Sequence, residues 1–457
     1  MFDKVLVANR GEIAVRVITT LRRLGIASVA VHSDADVNSL PVRMADESVP
    51  IGAAPVAESY LRIDRIIEAA LATGAQAVHP GYGLLSENPE FARACAAAGL
   101  VFIGPSPESM EMMSSKIRAR ETVTAAGVPV VPGCSEPIHP GPKAFATAEA
   151  IGYPVAAKAA SGGGGKGFRV AHSPDELAAA VEGASAEGAR FFGDSTVYLE
   201  RYLEDPRHVE VQIIADTHGN MVHLFERDCS VQRRHQKLVE EAPCPLLTDD
   251  QRARLGEIAV RAARAAGYYS LGTVEGLLVG ENFYFLEMNT RIQVEHPVTE
   301  LVTGLDLVAE QIRIAAGEAL SFGQSDVRIR GHAIECRINA ESAAKGFRPG
   351  PGRIDRFVTP AGEGVRLDTG VADGDSVHPY YDPMIAKLIT WGENRRAATD
   401  AMRKALDETV VEGIPTLLPF HRALLASAEW ERASTCRELV EDRSWLKSTD
   451  AWASGLG

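Results

Sequence analysis

The chain has 457 residues, 46% hydrophobic and 24% charged, with a net charge of −14. That supplies apolar surface for two to four cores, and the acidic balance argues against a nucleic-acid-binding surface while leaving room for a local basic pocket. No apolar run is long enough to cross a bilayer, and the six scattered cysteines form no Cys-x-x-Cys pair, which argues against a disulfide framework or a zinc site.

The opening Met1-Phe-Asp-Lys-Val-Leu-Val reads as a strand rather than a signal peptide, so a cytoplasmic protein is expected. Val5 to Ala8 reads as a strand, Gly11 to Leu24 as a helix and Ile26 to His32 as a strand. Ser59 to Thr73 is helical, Gln76 to His79 extended, Pro89 to Ala98 helical and Leu100 to Ile103 extended. Alternation of this kind predicts a parallel, Rossmann-like sheet ending near Met113. Pro, Gly and Ser between Val128 and Pro142 mark a linker into a separate lobe. There, Tyr153 to Ala160 and Phe168 to His172 read as strands, and Ser173-Pro-Asp-Glu176 as a capping box opening a helix to about Gly183. Val197 to Tyr202 and His208 to Ala215 are further strands. Beyond Leu305 to Ala316, a helix, the chain is strand-rich through Ile334 to Asn339, Gly352 to Val358 and Met384 to Trp391, with a last helix from Asn394 to about Glu412. The class is α/β followed by α+β.

Four constellations carry chemistry. Thr273-Val-Glu275 to Val279 and Phe283 to Glu287-Met-Asn289 flank Gly280-Glu281-Asn282, which has turn composition. If those three residues form the loop, Val279 faces Phe283 and Glu275 faces Glu287, with Asn289 on the face of Glu287. Opposed carboxylates repel, and a hard divalent cation would neutralise them; an exposed hairpin with incidental acids is the alternative. Ser161-Gly-Gly-Gly-Gly165-Lys166-Gly167 fits neither a dinucleotide turn nor a P-loop, because a strand follows it and Gly167 succeeds the lysine. It is either a bare hairpin tip whose N–H groups close over phosphates or a surface loop. Lys158, in the apolar strand Val-Ala-Ala-Lys-Ala-Ala, is unusual unless it faces a site. Arg227 to Lys237 mixes guanidinium, amide, imidazole and ammonium groups suited to a small anion, or forms a solvated charged face. Asn289-Thr-Arg291-Ile-Gln293-Val-Glu295-His296 sets a guanidinium to grip an oxyanion beside a glutamate that could accept its proton; an Arg291–Glu295 salt bridge is the plainer alternative. The first strand–helix junction, Asn9-Arg10-Gly11, lacks the glycine-rich turn of a nicotinamide-dependent oxidoreductase.

Together these residues resemble the biotin carboxylase family of ATP-grasp ligases over roughly Met1 to Val440. The strings that carry the resemblance are Ala8-Asn-Arg-Gly-Glu-Ile13, His79-Pro-Gly-Tyr-Gly83, Leu85-Ser-Glu-Asn88, Ser161 to Gly167, Glu226-Arg-Asp-Cys-Ser230, Gln232 to Lys237, Glu287 to Pro297, Glu335 to Glu341 and Pro379-Tyr-Tyr-Asp382. The resemblance implies a Rossmann-like N-terminal domain (1–113), an ATP-grasp domain (114–330) with a mobile lid at about 131–203, and a strand-rich C-terminal domain (331–457). It implies ATP-dependent carboxylation of biotin through carboxyphosphate, as the first half-reaction of an acetyl-CoA or acyl-CoA carboxylase of fatty acid biosynthesis, or alternatively of a pyruvate or urea carboxylase system.

By the same resemblance, Lys116 and Lys158 contact ATP phosphates beneath Gly164 and Gly165. Glu200, Arg201, Tyr202 and Leu203 form the adenine hinge, with His208 and His235 nearby. Glu275, Glu287 and Asn289 bind Mg2+ or Mn2+, with two ions expected. Lys237, Arg291, Gln293 and Val294 hold bicarbonate with Glu295 as general base, and Arg337 and Tyr82 face biotin. The chain departs from the family at Gly276 and Leu84, where aromatic residues are common, and altered packing is expected at Gly276. No Met-Lys-Met occurs, so biotin is expected on another polypeptide or on a C-terminal segment outside this sequence. The implied partners are a biotin carboxyl carrier protein, carboxyltransferase components and a second copy of the chain as a homodimer, with no nucleic acid or membrane.

Overall fold

The computed structural model describes residues 1–134, 136–161 and 166–452. β1 (Lys4–Val7), β2 (Ala27–Ser33), β3 (Glu47–Gly52), β4 (Ala77–His79) and β5 (Val101–Phe102) form one parallel sheet in the order β3-β2-β1-β4-β5. Val5, Leu6 and Val7 are wholly buried, as expected of a central parallel strand covered on both faces. The Gly11–Arg23 helix follows β1 directly, and Gly11 takes φ +63 at the junction.

β6 (Val155–Ala159), β7 (Phe168–Ala171) and β8 (Val197–Arg201) make a small antiparallel sheet in the order β7-β6-β8. The helix packed on it runs from Pro174 to Phe192, beyond the end expected near Gly183. Gly188 explains the continuation: a Cβ there would meet the Asp194 carbonyl at 2.5 Å and the Ala159 Cβ at 3.1 Å, so its glycine permits close packing rather than ending the helix. The expected capping box does not form. Ser173 makes no side-chain cap, and Glu176 instead accepts the His172 N–H at 2.8 Å.

The third sheet frames the site. β9 (Arg207–Ala215), β10 (Met221–Arg233), β11 (Gln236–Ala242), β12 (Ser270–Val279), β13 (Asn282–Asn289) and β14 (His332–Asn339) join the Met384–Gly392 and Val365–Thr369 strands. Their order is β13-β12-β9-β10-β11-β14, then Met384–Gly392 and Val365–Thr369, with every pairing antiparallel. β10 and β11 are hidden in the sequence by their charge. Arg234 and His235 form the tip between them with φ +49 and +65, a conformation that usually advertises itself through Asn or Gly.

The β12–β13 loop is one residue shorter than expected. Val279 pairs with Asn282, so Gly280-Glu281 makes the turn, and a bulge between Glu275 and Gly276 shifts the ladder by one. That bulge returns Glu275 to its expected partner, Glu287. Other bounds differ as well: the helix expected from Ser59 begins at Ile63, and β3 (Glu47–Gly52) forms where no strand is expected. Gly352 to Val358 breaks into Gly352–Arg353 and Arg356–Val358, and the last helix runs Arg395–Glu408 before β-branched Val410 and Val411 pair with Val358 and Phe357. No described helix is long and apolar enough to cross a membrane.

Gly276 is a packing position. A Cβ there would lie 2.2 Å from Phe283 Cζ, and Phe283 belongs to the core beneath β12. Gly276→Phe is therefore expected to destabilise the chain by about 1–3 kcal/mol through overpacking, and Phe283→Ala in the same chain should recover part of the loss. Chemical denaturation of the single and double variants measures this. Equal stability of Gly276→Phe and wild type would contradict it.

Two buried imidazoles add an acid liability. Burial pushes His79 down to about 3 and His421 down to about 4. The unfolded rings take a proton near 6.5 while the folded ones refuse it, so stability present above pH 6.5 is lost as the pH falls toward 4. At pH 5 each contributes a loss of about 2 kcal/mol. Urea midpoints at pH 7 and 5 test this, and equal midpoints would refute it.

Candidate active site

Register brings the acids together. Glu287 pairs with Glu275 across β13–β12, Glu275 with Glu210 across β12–β9, and Glu210 with Arg227 across β9–β10. Glu210 is not among the residues expected from the sequence. Its signal is the alternation of His208, Glu210 and Gln212 with Val209, Val211 and Ile213, a polar face on an otherwise apolar strand.

Two cations hold this row. The wholly buried Arg227 donates Nε to Glu210 at 2.6 Å, Nη1 to Gln212 at 2.7 Å and Thr299 at 3.0 Å, and Nη2 to Gln293 at 2.5 Å. Lys237 Nζ donates to Glu295 at 2.6 Å, to Glu275 at 3.0 Å and to Glu210. Burial opposes the charge on Lys237, but Glu210, Glu275 and Glu295 hold its ammonium well above the usual lysine range.

Glu275 is saturated. Its Oε1 accepts from Gln293 at 2.6 Å, Asn289 at 2.9 Å and Lys237 at 3.0 Å, and His208 Nε2 lies 2.9 Å from Oε2. Burial resists its charge, but Lys237 and His208 outweigh burial and keep its carboxyl well below the usual range. His208 is pushed up to about 9, because Glu275 and Glu210 overcome the effect of its burial. Glu287 differs: burial and the charge of Glu275 raise it, and it accepts no hydrogen bond from the described residues.

Glu295 sits at the N-cap of the His296–Thr303 helix, where Lys237 holds Oε1 and Arg337 holds Oε2 at 2.8 Å. Burial works against its charge, but Lys237 and Arg337 keep its carboxyl below the ordinary range. Arg337 also donates Nε to Glu240 at 2.6 Å, and its carbonyl meets His421 Nε2 at 2.7 Å. Val294 offers its carbonyl to the buried Lys387 at 2.7 Å. Arg291 does not pair with Glu295. It reaches Glu87 at 2.9 Å and Asn289 at 2.8 Å, tying β13 to the N-terminal sheet's loops. Tyr82 donates its hydroxyl to the buried Glu12.

The residues that the resemblance assigns to ATP lie to one side. Lys116, Glu87, Met113, Glu287, Asn289 and Thr290 line a cavity of about 230 Å³, and burial lowers the Lys116 ammonium. Lys158 pairs with the buried Glu200. Glu200 and Arg201 end β8, and Tyr202 and Leu203 continue half-buried beyond it. His235, at the β10–β11 tip, lies 6.4 Å from the Phe168 ring of β7 and so bridges the large sheet and the small one. Gly164 and Gly165 fall outside the described residues.

Comparison with known proteins accords with this geometry. Residues 1–110 match the family described as "Biotin carboxylase, N-terminal domain", 115–322 the "Carbamoyl-phosphate synthase L chain, ATP binding domain", and 335–442 the "Biotin carboxylase C-terminal domain". The chain is 53% identical over 449 residues to biotin carboxylase of Halalkalibacterium halodurans, covering 98% of this chain and 99% of that one. It is 51% identical over 442 residues to a pyruvate carboxylase component of Methanothermobacter thermautotrophicus, covering 97% and 90%. Among solved structures, the biotin carboxylase domain dimer of Hydrogenobacter thermophilus 2-oxoglutarate carboxylase, in complex with MgADP, ADP and bicarbonate, superposes with a TM-score of 0.92 at 46% identity, covering 97% and 99%. Campylobacter jejuni biotin carboxylase gives 0.92 at 45% identity, covering 95% and 98%. With three consecutive domains matched and half of all positions shared with full-length relatives, the chain belongs to the biotin carboxylase family of ATP-dependent ligases.

Proposed function

We propose that this chain carboxylates biotin, presented by a separate carrier protein, using ATP and bicarbonate by way of carboxyphosphate. The observation that carries the reading is Glu295, a carboxylate fixed between Lys237 and Arg337. Held ionised, it takes the proton of bicarbonate and strengthens a weak nucleophile. Lys237, Arg291, Gln293 and the backbone of Val294 hold that anion. Arg337 faces the ureido oxygen of biotin and stabilises its enolate, with Tyr82 as a wall of the same pocket. Lys116 and Lys158 hold ATP phosphates under Gly164 and Gly165. For Lys158 this means exchanging Glu200 for phosphate. Glu200 to Leu203, with His208 and His235, receive the adenine.

The donor set fits Mg2+ or Mn2+. Glu287 accepts no hydrogen bond from the described residues and lies beside a second carboxylate, while Glu275 and Asn289 would complete the oxygen ligands by giving up donors they now hold, Lys237 and His208 at Glu275 and Arg291 at Asn289. Two ions are proposed there, and a bound divalent ion supplies neutralisation of the polyphosphate charge.

We divide the chain into units 1–113, 114–330 with a lid at about 131–203, and 331–457. Relatives named biotin carboxylase support assignment to an acetyl-CoA or acyl-CoA carboxylase, whereas relatives from pyruvate and 2-oxoglutarate carboxylases support the alternative of another acceptor. The dimeric relative supports a homodimer; its place in the cytoplasm and its work with carrier and carboxyltransferase components belong to the same proposal. Recovery of a biotinylated polypeptide with the native chain, and of the carboxyltransferase bound to it, would decide the system.

Glu295→Gln should lower biotin-dependent turnover by about 10²–10⁴-fold while calorimetry still detects ATP binding. A variant turning over at the wild-type rate refutes the base assignment. Glu287→Gln should lose bicarbonate-dependent ATP hydrolysis by about 10²-fold or more at saturating Mg2+. Near-normal hydrolysis in that variant would remove the metal assignment.

A further inference from the structure

Glu335 lies directly across the β11–β14 ladder from Glu240, and both side chains are wholly buried. Glu240 uses Oε1 on Arg337, while its Oε2 and both oxygens of Glu335 have no hydrogen-bond partner among the described residues. Three buried acceptor oxygens side by side, without a donor, are rare in a folded chain. A carboxyl group that keeps its proton supplies the missing donor from within the pair itself.

The surrounding charges support this. Arg337 follows Glu335 on the same face of β14 and is bound to Glu240 and Glu295. Lys387, paired with Arg337 from the Met384–Gly392 strand, is directed to Val294 at 2.7 Å and to Glu12 at 3.3 Å, with Asp368 at 3.8 Å. The His296–Thr303 helix packed on β14 contributes Glu295 at its cap, His296, kept neutral by burial beside Lys387, and Glu300, which is bound to Arg16 and Arg366. Neither cation acting on Glu335 gives it a hydrogen bond. Burial pushes Glu335 well above the usual carboxyl range and brings Glu240 to about 7.

We propose that Glu335 is held as a neutral carboxylic acid sharing its proton with Glu240, so that the pair presents a single negative charge to Arg337. A second negative charge would over-neutralise the guanidinium and weaken its grip on an electron-rich ureido oxygen. Glu335 is thus a positioning residue acting through Glu240. The inference rests on the reading of Arg337 as the biotin-facing cation.

Infrared spectroscopy of the intact chain tests it. The expected result at pH 8 is a carboxylic-acid carbonyl band that shifts in D2O and is lost in Glu335→Gln. As the pH rises through the midpoint of that band, the biotin KM should climb at least about threefold with the ATP KM unchanged, and Glu335→Gln should abolish the climb. Absence of the band in the wild type, or its survival in Glu335→Gln, overturns the proposal. Should Glu335→Gln fail to fold, Glu240→Gln gives a second measurement: removing the neighbouring charge must move the midpoint to lower pH, and an unmoved midpoint overturns the proposal equally. A wild type that shows the band yet performs no bicarbonate-dependent turnover with biotin would overturn the functional reading and leave the shared proton standing.

Discussion

A largely enclosed ammonium, that of Lys237, holds three carboxylates at once. Glu210, Glu275 and Glu295 come from β9, β12 and the turn after β13, and each is buried. Burying charge is expensive unless every charge is paired and hydrogen-bonded, so this cluster is tolerable only as a set. Arg227 completes the pairing of Glu210 from within the same sheet. Among these acids Glu287 accepts no hydrogen bond from the described residues, whereas Glu295 is bridged between Lys237 on one oxygen and Arg337 on the other. Those two differences in environment separate a group suited to a divalent cation from a group suited to accept a proton.

The antiparallel sheet is what makes the cluster possible. Its strands are drawn from residues 207 to 392, and its registers set Glu287, Glu275, Glu210 and Arg227 in one row. The N-terminal unit is fastened to the same place by side chains rather than strands. Glu87 takes Arg291, and Glu12 joins Tyr82 on one side and Lys387 on the other. Residues far apart in the chain therefore share one electrostatic environment, and a change in any of them alters the protonation of the rest.

Much of the fold is legible in the sequence because it rests on local patterns. Four of the five parallel strands of the first unit are short apolar runs that form within a residue or two of their expected bounds, whereas the edge strand β3, mostly exposed and carrying Glu47, Ser48 and Pro50, has no apolar run to announce it. The departures have identifiable causes. Gly183 and Gly188 have the composition of helix breakers, but the helix runs through both, with Gly183 against the Arg169 side chain and Gly188 packed closely on Ala159 and Asp194. The β10–β11 hairpin carries so much charge that its strands are masked, since burial of charge becomes acceptable only once the partners from other strands are known. In the β12–β13 hairpin, composition suggests a loop one residue too long, and a bulge compensates for the shift. The pairing of Glu275 with Glu287 therefore forms by a route that turn composition could not disclose.

The sequence by itself determined the kinds of chemistry available: paired acids near a turn, a glycine run between strands, lysines in apolar surroundings and the strings that mark the family. Spacing and composition suffice for these, because each is a property of a few neighbouring residues. Only the tertiary structure decided which group each charge answers to. Arg291 turns to Glu87 rather than Glu295, Lys158 meets Glu200, and the unremarked Glu210 lies beneath Lys237. Ion pairing inside a protein depends on distance and burial, and both are set by strands far apart in the chain, so no local reading of it contains them.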